Sequence, residues 1–87
     1  MTHEEFELQQ KVVHWIFRNL KIRSSGRPNT ACTNYGLKHH AENDIGDYVS
    51  PDLMHRAMIE AGYQSKPVPD SPNFWYNIAS DSPLFKR

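Results

Sequence analysis

The tightest constraint on how this chain folds lies between Thr33 and Gly62, in TNYGLKHHAENDIGDYVSPDLMHRAMIEAG. Ser50 has the side chain of a helix N-cap, Pro51 suits the first helical position, and Asp52 complements the positive end of a helix dipole. Gly62 supplies the left-handed residue that commonly closes a helix. Residues 51–61 therefore read as a helix of about three turns, with Leu53, Met54, Ala57, Met58 and Ala61 turned inward. Upstream, Leu37, Ala41 and Ile45 recur every fourth residue and predict a helix over residues 34–44. Gly46 ends that helix, and Asp47, Tyr48 and Val49 form the turn between the two. Tyr48 and Val49 are expected in the core, and Lys38, His39, Glu42 and Asn43 on the outside. Gly36 weakens the first turn by about 1 kcal/mol relative to Ala, which predicts a close approach of neighbouring backbone there.

The rest of the chain surrounds this pair. Thr2 and Glu5 stand in capping-box relation at the start of a helix over residues 3–22. Phe6, Val13, Ile16, Phe17 and Leu20 recur at helical spacing, and Leu8, Val12 and Trp15 widen the apolar face. So broad a face predicts the central pillar of the core; the alternative reading is that Trp15 and Leu8 face a partner or a twin subunit. Residues 23–33 form a loop broken by Ser24, Ser25, Gly26 and Pro28, with a short strand expected over Thr30–Thr33. After Gly62, Pro67, Pro69 and Pro72 limit any strand to an edge. Phe74, Tyr76 and Ile78 then alternate with Trp75 and Asn77, as a strand requires, and residues 63–66 are its antiparallel mate. Residues 80–87 are a tail whose Leu84 and Phe85 dock on the body or wait for a partner. The expected fold class is mainly α with a small antiparallel β-hairpin (α+β), a single domain over residues 1–87.

That order, helix, extended segment, helix, turn, helix, hairpin, resembles the winged helix-turn-helix over about residues 5–79. The helix-turn-helix spans residues 34–62 and the wing residues 63–79. The segments YGLKHHAE, IGDYVS and AGY are also similar to a class of small phage- and plasmid-borne proteins of uncharacterised role. The winged-helix resemblance implies a third helix that enters the major groove of double-stranded DNA and a wing that touches the backbone or minor groove. The mobile-element resemblance implies no catalytic residue.

Charge narrows the function classes. The formal net charge is zero, but the charges are segregated. Glu4, Glu5 and Glu7 open the chain. Lys11, Arg18, Lys21, Arg23, Arg27 and Lys38 follow, with no acid between residues 8 and 41. Residues 42–60 then carry Glu42, Asp44, Asp47, Asp52 and Glu60 against Arg56 alone. The acidic start MTHEEFE is unlike a secretory signal, and no apolar run is long enough for a membrane span. The expectation is a cytoplasmic protein without a membrane partner. One cysteine, Cys32, allows no internal disulfide, and a small core without one is helped by self-association, so a homodimer is expected to be possible.

No motif points to a metal, a cofactor or an active site. His39 and His40 are adjacent and lack the i, i+4 spacing of ligands on a helix. Cys32 and the scattered histidines have no zinc spacing, and neither Cys32 with a histidine nor Asp44 with Asp47 sits in a supporting motif. The reading is a non-enzymatic regulator of mobile-element type that binds nucleic acid. His55 and Arg56 would read bases, with Arg56 able to take the bidentate contact to guanine. Lys66 on the wing, with Arg23, Arg27 and Lys38, would hold phosphates. Asp52 and Glu60 on the same helix oppose this use, which favours Arg23 and Arg27 as the main contributors to affinity. The other reading is a protein-binding module, such as a phage-encoded inhibitor of a host defence or nucleic-acid-processing protein. Trp15, Trp75 and Phe85 would be its interface anchors, since aromatics dominate such interfaces.

Overall fold

The computed structural model describes residues 2–87. Three helices, α1 (His3–Asn19), α2 (Asn34–Ile45) and α3 (Pro51–Glu60), precede a two-stranded antiparallel hairpin, β1 (Ser65–Pro67) and β2 (Phe74–Tyr76). A short 3-10 helix, Pro83–Lys86, follows. This is the expected α+β class, and the arrangement is consistent with a winged-helix-like fold. The radius of gyration, 12.1 Å, equals the roughly 12 Å of a compact domain of this length.

The helix ends follow their local chemistry. Thr2 Oγ1 accepts from the Glu5 amide at 3.1 Å, and Ser50 Oγ accepts from the Leu53 amide at 3.0 Å. Gly46 closes α2 in the left-handed region at φ 87°. At the end of α3, Gly62 donates to the Ile59 carbonyl and Tyr63 to the Met58 carbonyl, the two bonds of a Schellman motif.

The first helix is shorter than its sequence predicts. Leu20 turns extended, and three backbone groups then tie the chain to the segment after β2. Arg23 N–H donates to the Asn77 carbonyl at 2.7 Å, and Ala79 N–H donates to the Lys21 carbonyl at 2.8 Å. Lys21 N–H finds the Ser82 hydroxyl at 2.9 Å. Extended pairing on that side thus falls at Ile22 opposite Ile78 and Asn29 opposite Tyr76, not at Thr30–Thr33. β2 and its continuation are flanked by β1 on one edge and by these residues on the other.

All three helices face one core. Val12, Trp15 and Ile16 of α1 meet Leu37 and Ala41 of α2, Met54 and Met58 of α3, and Tyr76 and Ile78 beyond the hairpin. Leu84 docks the tail. Several expected core residues are instead on the surface. Phe6, Phe17 and Tyr48 are 52, 64 and 70% exposed, while Val49 is fully buried. An ideal side chain at Gly36 would touch nothing within 4 Å, so no close backbone approach accounts for that glycine.

Candidate nucleic-acid interface

The hairpin is fixed to the helices by polar groups, and those groups decide which side chains stay free. Asn34, the first residue of α2, is 2% exposed. Its amide donates to the Pro51 carbonyl at 3.2 Å and accepts from the Phe74 amide at 2.9 Å. One side chain thereby joins the starts of α2 and α3 to β2. Buried Asn77 accepts from the Gln64 amide at 2.8 Å, and buried Asn29 donates to the Ile78 carbonyl at 3.1 Å.

His55 belongs to the same framework. Its Nδ1 lies 2.7 Å from the Tyr76 hydroxyl, and its ring stacks on Phe74 with centroids 4.0 Å apart. Burial lowers its affinity for a proton, partly opposed by Asp52. The bond to Tyr76 and the stacking on Phe74 hold the hairpin against α3 and engage the ring within the fold. Arg56 is exposed, but its Nε donates to Gln9 at 3.3 Å, and Gln9 in turn donates to Glu60 at 2.9 Å. Gln10 also donates to Glu60 at 2.8 Å. These bonds tie Arg56 and Glu60 to α1, and Asp52, Arg56 and half-exposed Ile59, spaced four and three residues apart, share the exposed face of α3.

Three expected contact residues are engaged inside the fold. Lys38 is 5% exposed, its ammonium 2.6 Å from Glu42 and 4.8 Å from the centre of the Tyr48 ring. It is not an outward cation, because its charge is neutralised four residues along its own helix and covered by aromatic rings. Trp15 is 1% exposed and its indole donates to Asp44 at 2.7 Å, so it is core and not an interface anchor. The Arg23 guanidinium donates to the Arg27 and Pro28 carbonyls at 3.4 and 3.3 Å and to the Ser80 hydroxyl at 3.0 Å. It braces the loop from within.

The basic segment is not unopposed in space. Lys11 lies 3.8 Å from Asp47 and Lys21 3.5 Å from Asp81. Among the described residues, Arg18 and Arg27 are the cations of that segment with neither a carboxylate nor an internal acceptor for the side chain.

One face gathers what remains. The hairpin register sets Ser65 opposite Tyr76, Lys66 opposite Trp75 and Pro67 opposite Phe74. Phe74 and Tyr76 turn toward α3 and the core, so Lys66 and half-buried Trp75 share the opposite face. Gln64, two residues before Lys66, falls on that face too. A side chain built at Gly26 would lie 3.7 Å from its Oε1, which places the loop carrying Arg27 against the base of the hairpin. The outer face therefore presents Lys66, Trp75 and Gln64, and the loop that leads into Arg27 touches it at Gln64. Asp70 stands in the turn at the hairpin tip. Phe85 is 39% exposed in the tail.

Cys32 is half-buried, and burial pushes its thiol up to about 11, so it is neutral at pH 7. Among the described residues no three His, Cys, Asp or Glu side chains gather as a metal site would need, and no helix is long and apolar enough to cross a membrane. Compared with protein-family models, curated proteins and solved structures, the chain matches none.

Proposed function

We propose that this protein is a small non-enzymatic regulator that binds double-stranded DNA through its hairpin and the 23–28 loop, and not through α3. The observation that carries the reading is the pairing of Lys66 with Trp75 on the hairpin face turned away from the core, with the loop before Arg27 reaching Gln64 at the base of that face. A two-stranded ribbon fits the major groove. Cations at its edge contact phosphates, and the accessible part of the half-buried Trp75 indole adds apolar contact with bases or sugars. On the exposed face of α3, Asp52 and Ile59 offer a phosphate-lined groove nothing, and the one cation there, Arg56, is held at Nε by Gln9.

The small number of free cations sets the magnitude. Two or three phosphate contacts give a logarithmic salt slope of about −2 to −3 for duplex DNA. Binding is therefore weak at physiological salt and clear at low salt. Fluorescence anisotropy with labelled duplexes and single strands at several salt concentrations tests this. The Arg27→Ala/Lys66→Ala variant is expected to lose at least tenfold in affinity and about two units of slope. Equal binding by parent and variant at low salt contradicts the proposal.

A second reading, a protein-binding module, draws support from α3. Asp52 and the exposed Ile59, with exposed Tyr48 lining one groove with Asp52, form an acidic and apolar surface suited to a basic protein. A pull-down with and without nuclease separates the two. A stoichiometric protein retained after nuclease treatment favours this second reading.

A further inference from the structure

One side of α1 carries two phenylalanines that the fold leaves uncovered. Phe6 and Phe17 are 52 and 64% exposed, although the same helix buries Val12, Trp15 and Ile16 almost completely. Residues 6, 10, 13 and 17 are spaced four, three and four apart, so they run along one side of the helix. Val13 is the buried floor of that line and Gln10 its half-buried middle. The two phenylalanines stand about 16 Å apart along the axis, at 1.5 Å per residue. Single exposed apolar residues are ordinary, but two aromatic rings at the ends of one heptad-like line are the pattern of a helix seam.

The charges beside the line show what covers it. Glu4, Glu5 and Glu7 lie in its first half, and His14 and Arg18 in its second, all exposed, while Lys11 at the middle is drawn toward Asp47 of its own chain. A second copy of α1 laid antiparallel, with the two-fold axis between residues 11 and 12, sets Phe6 of each copy on Phe17 of the other. The same operation brings Glu7 of one copy to the level of His14 and Arg18 of the other. A parallel arrangement would instead set acids beside acids and cations beside cations. The line thus pairs Phe6 with Phe17 and Glu7 with Arg18 under one two-fold axis, as an isologous interface must.

We infer that the protein self-associates into an antiparallel dimer through the Phe6–Phe17 side of α1. The spacing suits the shallow crossing of coiled-coil packing, and the contact, essentially one helix from each copy, belongs to the small, weak class of interfaces. The dimer accordingly forms and dissociates with concentration. Neither Lys66 nor Trp75 takes part, so the inference stands or falls independently of nucleic-acid binding.

Sedimentation equilibrium of the full chain over a concentration series into the millimolar range tests it. The weight-average mass of the parent is expected to rise from 10.1 kDa toward twice that value. Phe17→Asp, at an exposed position, should keep the parent's circular dichroism spectrum and remain a monomer throughout. Glu7→Arg alone and Arg18→Glu alone should each weaken the dimer by about tenfold through like-charge contacts, and the double exchange should restore it to within about threefold of the parent. A parent that stays monomeric, a dimer indifferent to Phe17→Asp, or a double exchange no better than the single ones overturns the proposal.

Discussion

Asn34→Ala is expected to be the most damaging polar-to-alanine substitution in the protein. The side chain is 2% exposed and holds two backbone groups from different elements, the Pro51 carbonyl at 3.2 Å and the Phe74 amide at 2.9 Å. Each bond contributes about 1 kcal/mol net, and a backbone group stripped of its partner in a dry site costs about 1–3 kcal/mol. Phe74 is only half-buried, so water replaces part of the loss there, and the total comes to about 2–3 kcal/mol. For a domain of this size each kcal/mol moves Tm by about 4–8 °C, which predicts a fall of about 10–20 °C. Thermal and urea unfolding followed by circular dichroism measure it, and hydrogen exchange at the Phe74 amide localises it. Exchange there should accelerate more than in α1, because the hairpin loses its tie to the helices. A loss below about 0.5 kcal/mol, the range of neutral surface changes, with Phe74 still protected, refutes the assignment of Asn34 as the junction.

Three further outcomes follow from the structure. Bonds from Arg87 and then from the Trp15 indole hold Asp44 at about 2 against its usual 3.8. The stability it contributes is complete above 3.8 and lost as pH falls through about 2, so Arg87→Ala should flatten the acid limb of urea midpoint against pH. His55 is held below its usual 6.5, chiefly by burial. Its contribution is present above that value and lost as pH falls through its folded pKa, and His55→Phe should remove that part of the profile between neutral and mildly acidic pH. Gly36→Ala should stabilise by about 0.5–1 kcal/mol, since the site is open and helical. Gly46→Ala, at φ 87°, should destabilise by about 1 kcal/mol, and urea unfolding of the pair checks both signs.

The parts legible in the sequence were those set by local rules. Ser50, Pro51 and Gly62 delimit α3 with bonds made within a few residues, and the four-residue spacing of Leu37, Ala41 and Ile45 gives α2 its inner face. The alternation of Phe74, Tyr76 and Ile78 gives the hairpin its inward side, and with it the outward position of Trp75. Distant contacts left no such mark. The apolar face of α1 is wider than the core needs, and the fold places Trp15 inside, where Asp44 of α2 accepts from its indole, and leaves Phe17 out. Lys38 reads as outward because lysine seldom lies buried, but Glu42 and Tyr48 make burial tolerable. The run of cations without acids was a property of linear order, and Asp47 and Asp81 return to Lys11 and Lys21 in the fold. The buried amides of Asn29, Asn34 and Asn77, which place the candidate interface, follow no period at all.

The central claim is that the outer face of the hairpin, and not α3, meets DNA. Titrating nitrogen-15-labelled protein with a short duplex at low salt, and following amide and indole resonances, tests it most directly. The account predicts that the amides of Gln64, Lys66, Trp75, Gly26 and Arg27 shift together with the Trp75 indole. The buried Trp15 indole and the amides from Asp52 to Ile59 should stay in place. Shifts confined to α3, or none at a duplex concentration well above that of the protein, contradict it.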